Sequence, residues 1–260
     1  VKLLFIGDIT GKPGRRLVAE RLPGLRKARG LDAVIANGEN AAGGVGLTAG
    51  VAEELFAAGI DVLTGGNHTW QNREVYDLLD ADPRVLRPAN YPPGVPGQGA
   101  AVVETQGGAT VGILNLQGRV FMTNLEDPFR VGREQAERLR SRTPVVVVDI
   151  HAEATSEKVA LGWYLDGMVS AVIGTHTHVQ TADERILPRG TAYITDAGMT
   201  GPRDGIIGMA REAILERFLT QLPTRFEVAP GPVQLNGVVV ACDPDGRATG
   251  IERLYIVTDA

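Results

Sequence analysis

Val145-Val146-Val147-Val148-Asp149-Ile150 is a nearly continuous apolar run, and His151 follows it directly. A strand without polar alternation is one buried on both faces, so this segment predicts structure packed above and below it. The first half of the chain has the matching pattern. Residues 2–7, 31–36 and 60–64 read as apolar strands, and they alternate with helical segments at 15–29, 49–58 and 73–79. Leu17, Val18, Leu22 and Leu25 lie along one side of the first of these helices, and Gly30 and Gly59 mark helix ends. Such alternation implies parallel strands joined by helical crossovers.

The second half is richer in strands. Residues 100–105 and 110–115 flank Gln106-Gly107-Gly108-Ala109, a hairpin signal. Residues 129–142 read as a helix, and 171–174, 192–195, 235–242 and 252–257 as strands, with Asp243-Pro244-Asp245-Gly246 turning the chain between the last two. Leu215, Phe218 and Leu219 have the spacing of helix-core positions. No repeat, low-complexity tract or linker interrupts the chain. The simplest account is an α/β fold in one domain spanning residues 1–260, with two packed sheets and helices outside.

Composition narrows the setting. The 43% hydrophobic content supports a substantial core, and 26 basic against 31 acidic residues give a net charge of −5, which argues against a surface that coats nucleic acid. Cys242 is the only cysteine, so neither an intramolecular disulfide nor a thiolate metal cluster is expected. No apolar stretch approaches the ~18 residues of a membrane span, and a reducing cytoplasm is the expected location.

All four histidines stand in short motifs at strand ends. Asp8 follows the first strand, Glu39 and Asn40 the second, Asn67 and His68 the third; His151 follows the central run, and His176 and His178 lie in Gly174-Thr175-His176-Thr177-His178. Parallel strands bring their C-terminal ends together, where open α/β sheets bind ligands. Imidazole with carboxylate suits Mn, Fe or Zn more than Mg or Ca, and a central carboxylate such as Glu39 can bridge two ions ~3.5–4 Å apart. Two such ions lower the pKa of a shared water and bind phosphoryl oxygens. Taken singly, each motif has an ordinary reading as a turn or, for His151, as a buried histidine bonded to backbone; taken together they form a ligand set.

The order of these motifs resembles the calcineurin-like metallophosphoesterases, and more narrowly their YmdB branch. Gly7-Asp8-Ile9, Ala36-Asn37-Gly38-Glu39-Asn40, Gly65-Gly66-Asn67-His68, the run from Gly174 through His176, His178 and Gln180 to Asp183, and the run from Thr195 to Pro202 carry the likeness over almost the whole chain. The resemblance implies a four-layer αββα sandwich of two mixed β-sheets, a centre of two transition-metal ions (Fe or Mn first, Zn next), and phosphodiesterase activity on cyclic nucleotides, 2′,3′-cyclic and in extension 3′,5′-cyclic. It places one metal on Asp8, Glu39, Asn40 and His178, and the other on Glu39, Asn67, His151 and His176. His68 is left over as the general acid for the departing ribose oxygen. Thr10, Glu39 and Thr69 depart from the broad superfamily, which more often has His, Asp and an acid there, and agree with the YmdB branch. The lost imidazole at Thr10 leaves metal identity open, with Asn40 as a replacement ligand.

The implied partner is a small nucleotide diester. RNA is the weaker alternative, no membrane is implied, and a homo-oligomer stays open. Phosphomonoesterase, ribonuclease and slow nucleotide-sensing readings use the same centre. Around it, Arg15 and Arg16 read as substrate contacts or solvated arginines, Trp70 and Tyr91 as base-stacking or packing residues, and Gly43-Gly44-Val45-Gly46 as a loop over the site or a connector. Met199 reads as packing beneath the site within a glycine-rich turn.

Overall fold

The computed structural model describes residues 1–105 and 107–258. The first half contains β1 (Lys2–Ile6), β2 (Asp8–Ile9), α1 (Gly11–Arg29), β3 (Ala33–Asn37), α2 (Ala49–Ala57), β4 (Val62–Thr64) and α3 (Val75–Ala81). The second contains β5 (Ala100–Glu104), β6 (Thr110–Gln117), α4 (Pro128–Arg140), β7 (Val145–His151), α5 (Thr155–Tyr164), β8 (Ala171–Thr175), β9 (Arg185–Ile186), β10 (Ala192–Ile194), β11 (Met199–Pro202), α6 (Arg211–Thr220), β12 (Val233–Cys242) and β13 (Ala248–Thr258). Local chemistry sets several ends. Pro13 falls in the first turn of α1, where its missing N–H costs nothing, and Gly30 closes that helix in the left-handed conformation. Asp127 caps α4 by accepting hydrogen bonds from Phe129 N and Arg130 N.

Two mixed sheets face each other. One runs β2-β11-β12-β1-β3-β4, with β13 also paired to β12; the other runs β5-β6-β7-β8-β10-β9. β1, β3 and β4 are parallel, as are β6, β7, β8 and β10. The antiparallel partners are β12 beside β1 in the first sheet, and β5 and β9 at the edges of the second. The period of two along each strand divides the core. Leu3 and Phe5 of β1 join Val145 and Val147 of β7 between the sheets. Leu4 and Ile6 turn outward to Leu17, Val18 and Leu22 of α1, while Val146, Val148 and Ile150 pack on Leu139 of α4 and Leu161 of α5. The result is the expected αββα sandwich, and each buried aliphatic side chain contributes roughly 1.5–3 kcal/mol.

Several expectations need correction. Leu215, Phe218 and Leu219 do lie on a helix, α6, but they are 51, 71 and 84% exposed, and Ile214 is the buried position of that helix. Spacing identifies an apolar face but does not say whether anything covers it. The glycine-rich segment at Met199 is a buried strand, β11, parallel to β2 at the sheet edge. The sequence pattern gives no sign of α5, because Glu157, Lys158 and the aromatic pair after Gly162 obscure its periodicity. The hairpin joins β5 and β6 antiparallel as expected, although Gln106 of its turn lies outside the described residues. No helix among the described residues is long and apolar enough to cross a membrane.

Candidate metal centre

The C-terminal ends of β1, β3 and β4 in one sheet and of β7 and β8 in the other meet at one end of the sandwich, and the candidate ligands follow them. His151 Nε2 lies 3.0 Å from Glu39 Oε1, 2.9 Å from Asn67 Oδ1 and 3.0 Å from His176 Nδ1. Nearby, His178 Nε2 is 3.7 Å from Asp8 Oδ1 and 3.3 Å from Asn40 Nδ2, and Asn40 Nδ2 is 3.5 Å from Glu39 Oε1. Asp8 Oδ2 accepts from His176 N at 3.2 Å, while buried Asp8 Oδ1 has no hydrogen-bond partner. All seven proposed ligands thus come together, with Glu39 central. Close approach is steric as well as chemical: a Cβ on Gly66 would sit 2.3 Å from Glu39 Oε2 and from the His151 ring.

Each imidazole of the cluster has an outward partner that fixes its tautomer. Thr175 Oγ1 donates to Asp149 Oδ1 at 2.7 Å and so accepts from His151 Nδ1–H at 2.9 Å. His176 Nε2–H donates to Glu153 Oε2 at 3.1 Å, and His178 Nδ1–H to the carbonyl of Ile207 at 3.1 Å. The remaining nitrogens point inward: His151 Nε2 faces Glu39 Oε1, Asn67 Oδ1 and His176 Nδ1, while His178 Nε2 faces Asp8 Oδ1 and the Asn40 amide nitrogen. One ring nitrogen within 3.0 Å of three other lone-pair donors cannot satisfy them with a single proton. A cation can, and this outer support of ligating histidines is the usual accompaniment of a metal. The residues present therefore fit a metal centre built of nitrogen and oxygen donors.

The electrostatics agree. Burial disfavours charge on Glu39, but His151 and His68 outweigh it and hold the carboxyl well below its ordinary range. Burial likewise opposes a charged His151, yet Glu39, Asp8 and Asp149 push it up to about 9. Burial and the positive His151 drive His176 down to about 3. Burial raises Asp8, and raises Asp149 to about 6. The buried carboxylates thus favour positive charge at His151, the ring beside Glu39.

His68 sits beside this cluster. Its Nδ1 is 2.8 Å from Asn40 Oδ1 and 3.3 Å from Glu39 Oε1, its backbone N–H donates to Glu39 Oε2 at 2.9 Å, and its side chain is 36% exposed. With Glu39, Asn40, His176 and His178 it lines a cavity of about 430 Å³ that Gly44 and Val45 also border, so the glycine loop borders the site. Trp70 instead packs edge-on against Tyr76 and Tyr91, both at 5.4 Å. Arg15 is not solvated: it pairs with Glu54 at 2.7 Å and donates to Ala41 O, whereas Arg16 is exposed.

Sequence reasoning missed the supporting residues. His176 and His178 have φ of 98° and 66°, left-handed values that cost roughly 1–3 kcal/mol each outside glycine. Asp196 holds the turn between them: its Oδ2 accepts from Thr177 N at 3.1 Å and Thr177 Oγ1 at 2.6 Å, and its Oδ1 from Gly198 N at 2.8 Å. Lys158 from α5 completes the arrangement as a buried ion pair with Asp196 at 2.8 Å. Asp149 ties the sheets together, accepting from Thr64 Oγ1 at 2.5 Å and Asn37 Nδ2 at 3.2 Å. A polar residue inside the apolar run 145–150 was the available signal for Asp149. Lys158, one of four lysines, had none.

Comparison with known proteins is consistent with this geometry. A family model described as YmdB-like protein matches residues 4–254. The chain belongs to the YmdB-like family. Among curated relatives, a Bacillus subtilis protein named 2′,3′-cyclic-nucleotide 2′-phosphodiesterase is 52% identical over 260 residues, covering 100% of this chain and 98% of the relative. Among solved structures, a hypothetical protein from Thermus thermophilus superposes on this YmdB-like chain with a TM-score of 0.93 at 45% identity, covering 99% of each chain. A structure titled as a novel phosphatase from Mycoplasma pneumoniae has the same TM-score of 0.93 at 37% identity, covering 100% of this chain and 94% of that one.

Proposed function

We propose that this protein is a metal-dependent phosphodiesterase that opens 2′,3′-cyclic nucleotides. Asp8, Glu39, Asn40 and His178 would hold one metal ion, and Glu39, Asn67, His151 and His176 the other. When bound, the ions would activate water and neutralise charge on the phosphoryl oxygens. The observation that carries this reading is the cluster of lone pairs around His151 Nε2, each imidazole fixed from outside by Thr175, Glu153 or the Ile207 carbonyl. The substrate class follows from the name of the Bacillus subtilis relative.

In the reaction, a water oxygen forms a bond to phosphorus while the bond to the 2′ oxygen breaks, leaving a nucleoside 3′-monophosphate. The departing alkoxide needs a proton, and His68 supplies it. Asn40 positions this acid. His68 Nδ1–H donates to Asn40 Oδ1 at 2.8 Å, which supports the protonated imidazolium and leaves its Nε2–H as the proton to be given up. The second lone pair of Asn40 Oδ1 would be the one offered to the metal. Residues 1–260 act as one catalytic domain in this reading, and a reducing cytoplasm is the proposed setting, with Cys242 a buried free thiol.

The test is a product assay on protein stripped of metal and reloaded with manganese, with 2′,3′-cyclic AMP, 3′,5′-cyclic AMP, a phosphomonoester and an RNA oligomer compared. Metal-dependent formation of 3′-AMP as the fastest reaction is expected. Absence of turnover with two metals bound overturns the proposal. His68→Ala should keep its metal and lose about 10²–10⁴ in kcat; equal loss of metal would remove the acid role.

A further inference from the structure

The cavity lined by Glu39, Asn40, His68, His176 and His178 has a second wall that the chemistry above does not use. Val45, Ile207, Met209, Ile214 and Phe226 form its apolar lining. Ile207 and Phe226 are 51% and 42% exposed, which is unusual for large apolar side chains beside a charged centre. The wall is built rather than incidental. Ile206 and Met209 exchange hydrogen bonds at 2.8 and 3.0 Å, Ala210 N donates to Glu227 O at 2.8 Å, and Ala229 N donates to Gly208 O at 2.9 Å. The two segments that carry the wall are therefore laced together. Ile207 is a β-branched residue held at φ 45°, a conformation such residues avoid. In that conformation its carbonyl accepts from His178 Nδ1 at 3.1 Å while its side chain joins the cavity lining. One strained residue thus links the apolar wall to the ligand cluster.

We propose that this wall, centred on Phe226, is the nucleobase subsite. The inference rests on the cyclic-nucleotide reading. In a 2′,3′-cyclic nucleotide the phosphate bridges C2′ and C3′, and the base leaves from the adjacent C1′. A phosphate at the ligand cluster therefore puts its base within one sugar ring of the phosphorus, inside the same cavity. Trp70 and Tyr91 do not serve here, because they pack on one another and neither lines the cavity. The Arg217 guanidinium lies 5.7 Å from the Phe226 ring centroid and steadies the ring. Apolar and aromatic contact holds any base by its face, and the side chains that could read a base edge are few, Glu153 and Thr177 among them. The subsite accordingly accepts purines and pyrimidines alike.

The experiment compares 2′,3′-cyclic AMP and 2′,3′-cyclic CMP with base-free ribose 2′,3′-cyclic phosphate, on manganese-loaded wild type, Phe226→Ala and Phe226→Tyr, with metal content measured for each. Wild type should prefer both nucleotides over the base-free substrate in kcat/KM by about tenfold or more. Phe226→Ala should erase most of that preference, mainly through KM and with metal content equal to wild type, and Phe226→Tyr should restore it. A preference that survives Phe226→Ala, or a wild type with no preference, overturns the proposal. If wild type turns over none of these compounds, the phosphodiesterase reading fails, and calorimetry with adenosine monophosphate against ribose 5-phosphate decides the subsite alone. Tighter binding of the nucleotide that is lost in Phe226→Ala supports the subsite; equal binding of the two overturns it.

Discussion

Breaking the Lys158–Asp196 pair should unfasten the turn that carries His176 and His178. Both partners are essentially inaccessible, 1% and 0% exposed, and 2.8 Å apart. Removing one partner of a buried pair strands the other charge, at a cost of ~3–5 kcal/mol. At about 2–4 °C per kcal/mol for a chain of this class, Lys158→Met and Asp196→Asn should each lower Tm by roughly 6–20 °C. The double variant leaves no isolated charge, so its loss should fall well short of the sum of the two. Urea denaturation of the metal-free protein measures the cycle without metal linkage. The site should respond asymmetrically. Asp196 also accepts two hydrogen bonds from Thr177, so Asp196→Asn should lower metal content more than Lys158→Met does. Single losses that add to within about 0.5 kcal/mol in the double variant would refute the coupling, and equal metal content in both would refute the role of Asp196 in holding the turn.

Other consequences follow from the same geometry. Glu153→Ala frees the ring of His176 and should weaken metal binding by about 10–100-fold, read by competition with a metal-binding dye. Gly66→Ala places a methyl group 2.3 Å from Glu39 Oε2, so its metal content should fall far below that of wild type. Stripping metal should lower Tm, and the loss should be restored in proportion to added manganese, since a ligand that binds the folded state stabilises it. Burial raises the carboxyl of Asp183, but hydrogen bonds from Thr181 and Thr195 outweigh it and leave its pKa lowered. Its contribution is therefore complete above the unfolded value of about 3.9 and is lost as pH falls through the lower folded value; in Asp183→Asn this acid-limb loss should vanish from a stability–pH curve.

What the sequence alone determined was set by local patterns. The apolar run 145–150 and the alternation in the first half specified buried parallel strands, because strand period and burial are written in consecutive residues. The gathering of Asp8, Glu39, Asn40, Asn67, His68, His151, His176 and His178 at one end of the sandwich was legible because the strand ends of a parallel sheet converge. Tertiary structure alone decided the rest. Lys158 and Asp196 are 38 residues apart, and nothing local distinguishes a lysine that will be buried from one that will be solvated. Glu153 and the Ile207 carbonyl acquire roles only once folding brings a histidine nitrogen within hydrogen-bond reach. Leu215, Phe218 and Leu219 have the spacing of a core face, yet burial depends on what packs opposite, and among the described residues nothing covers them. Phe226 reaches the ligand cavity because the segments around Met209 and Val228 pair, a contact between residues whose sequence signals are weak. Periodicity is a property of neighbours in the chain, whereas burial, ion pairing and cavity lining belong to neighbours in space.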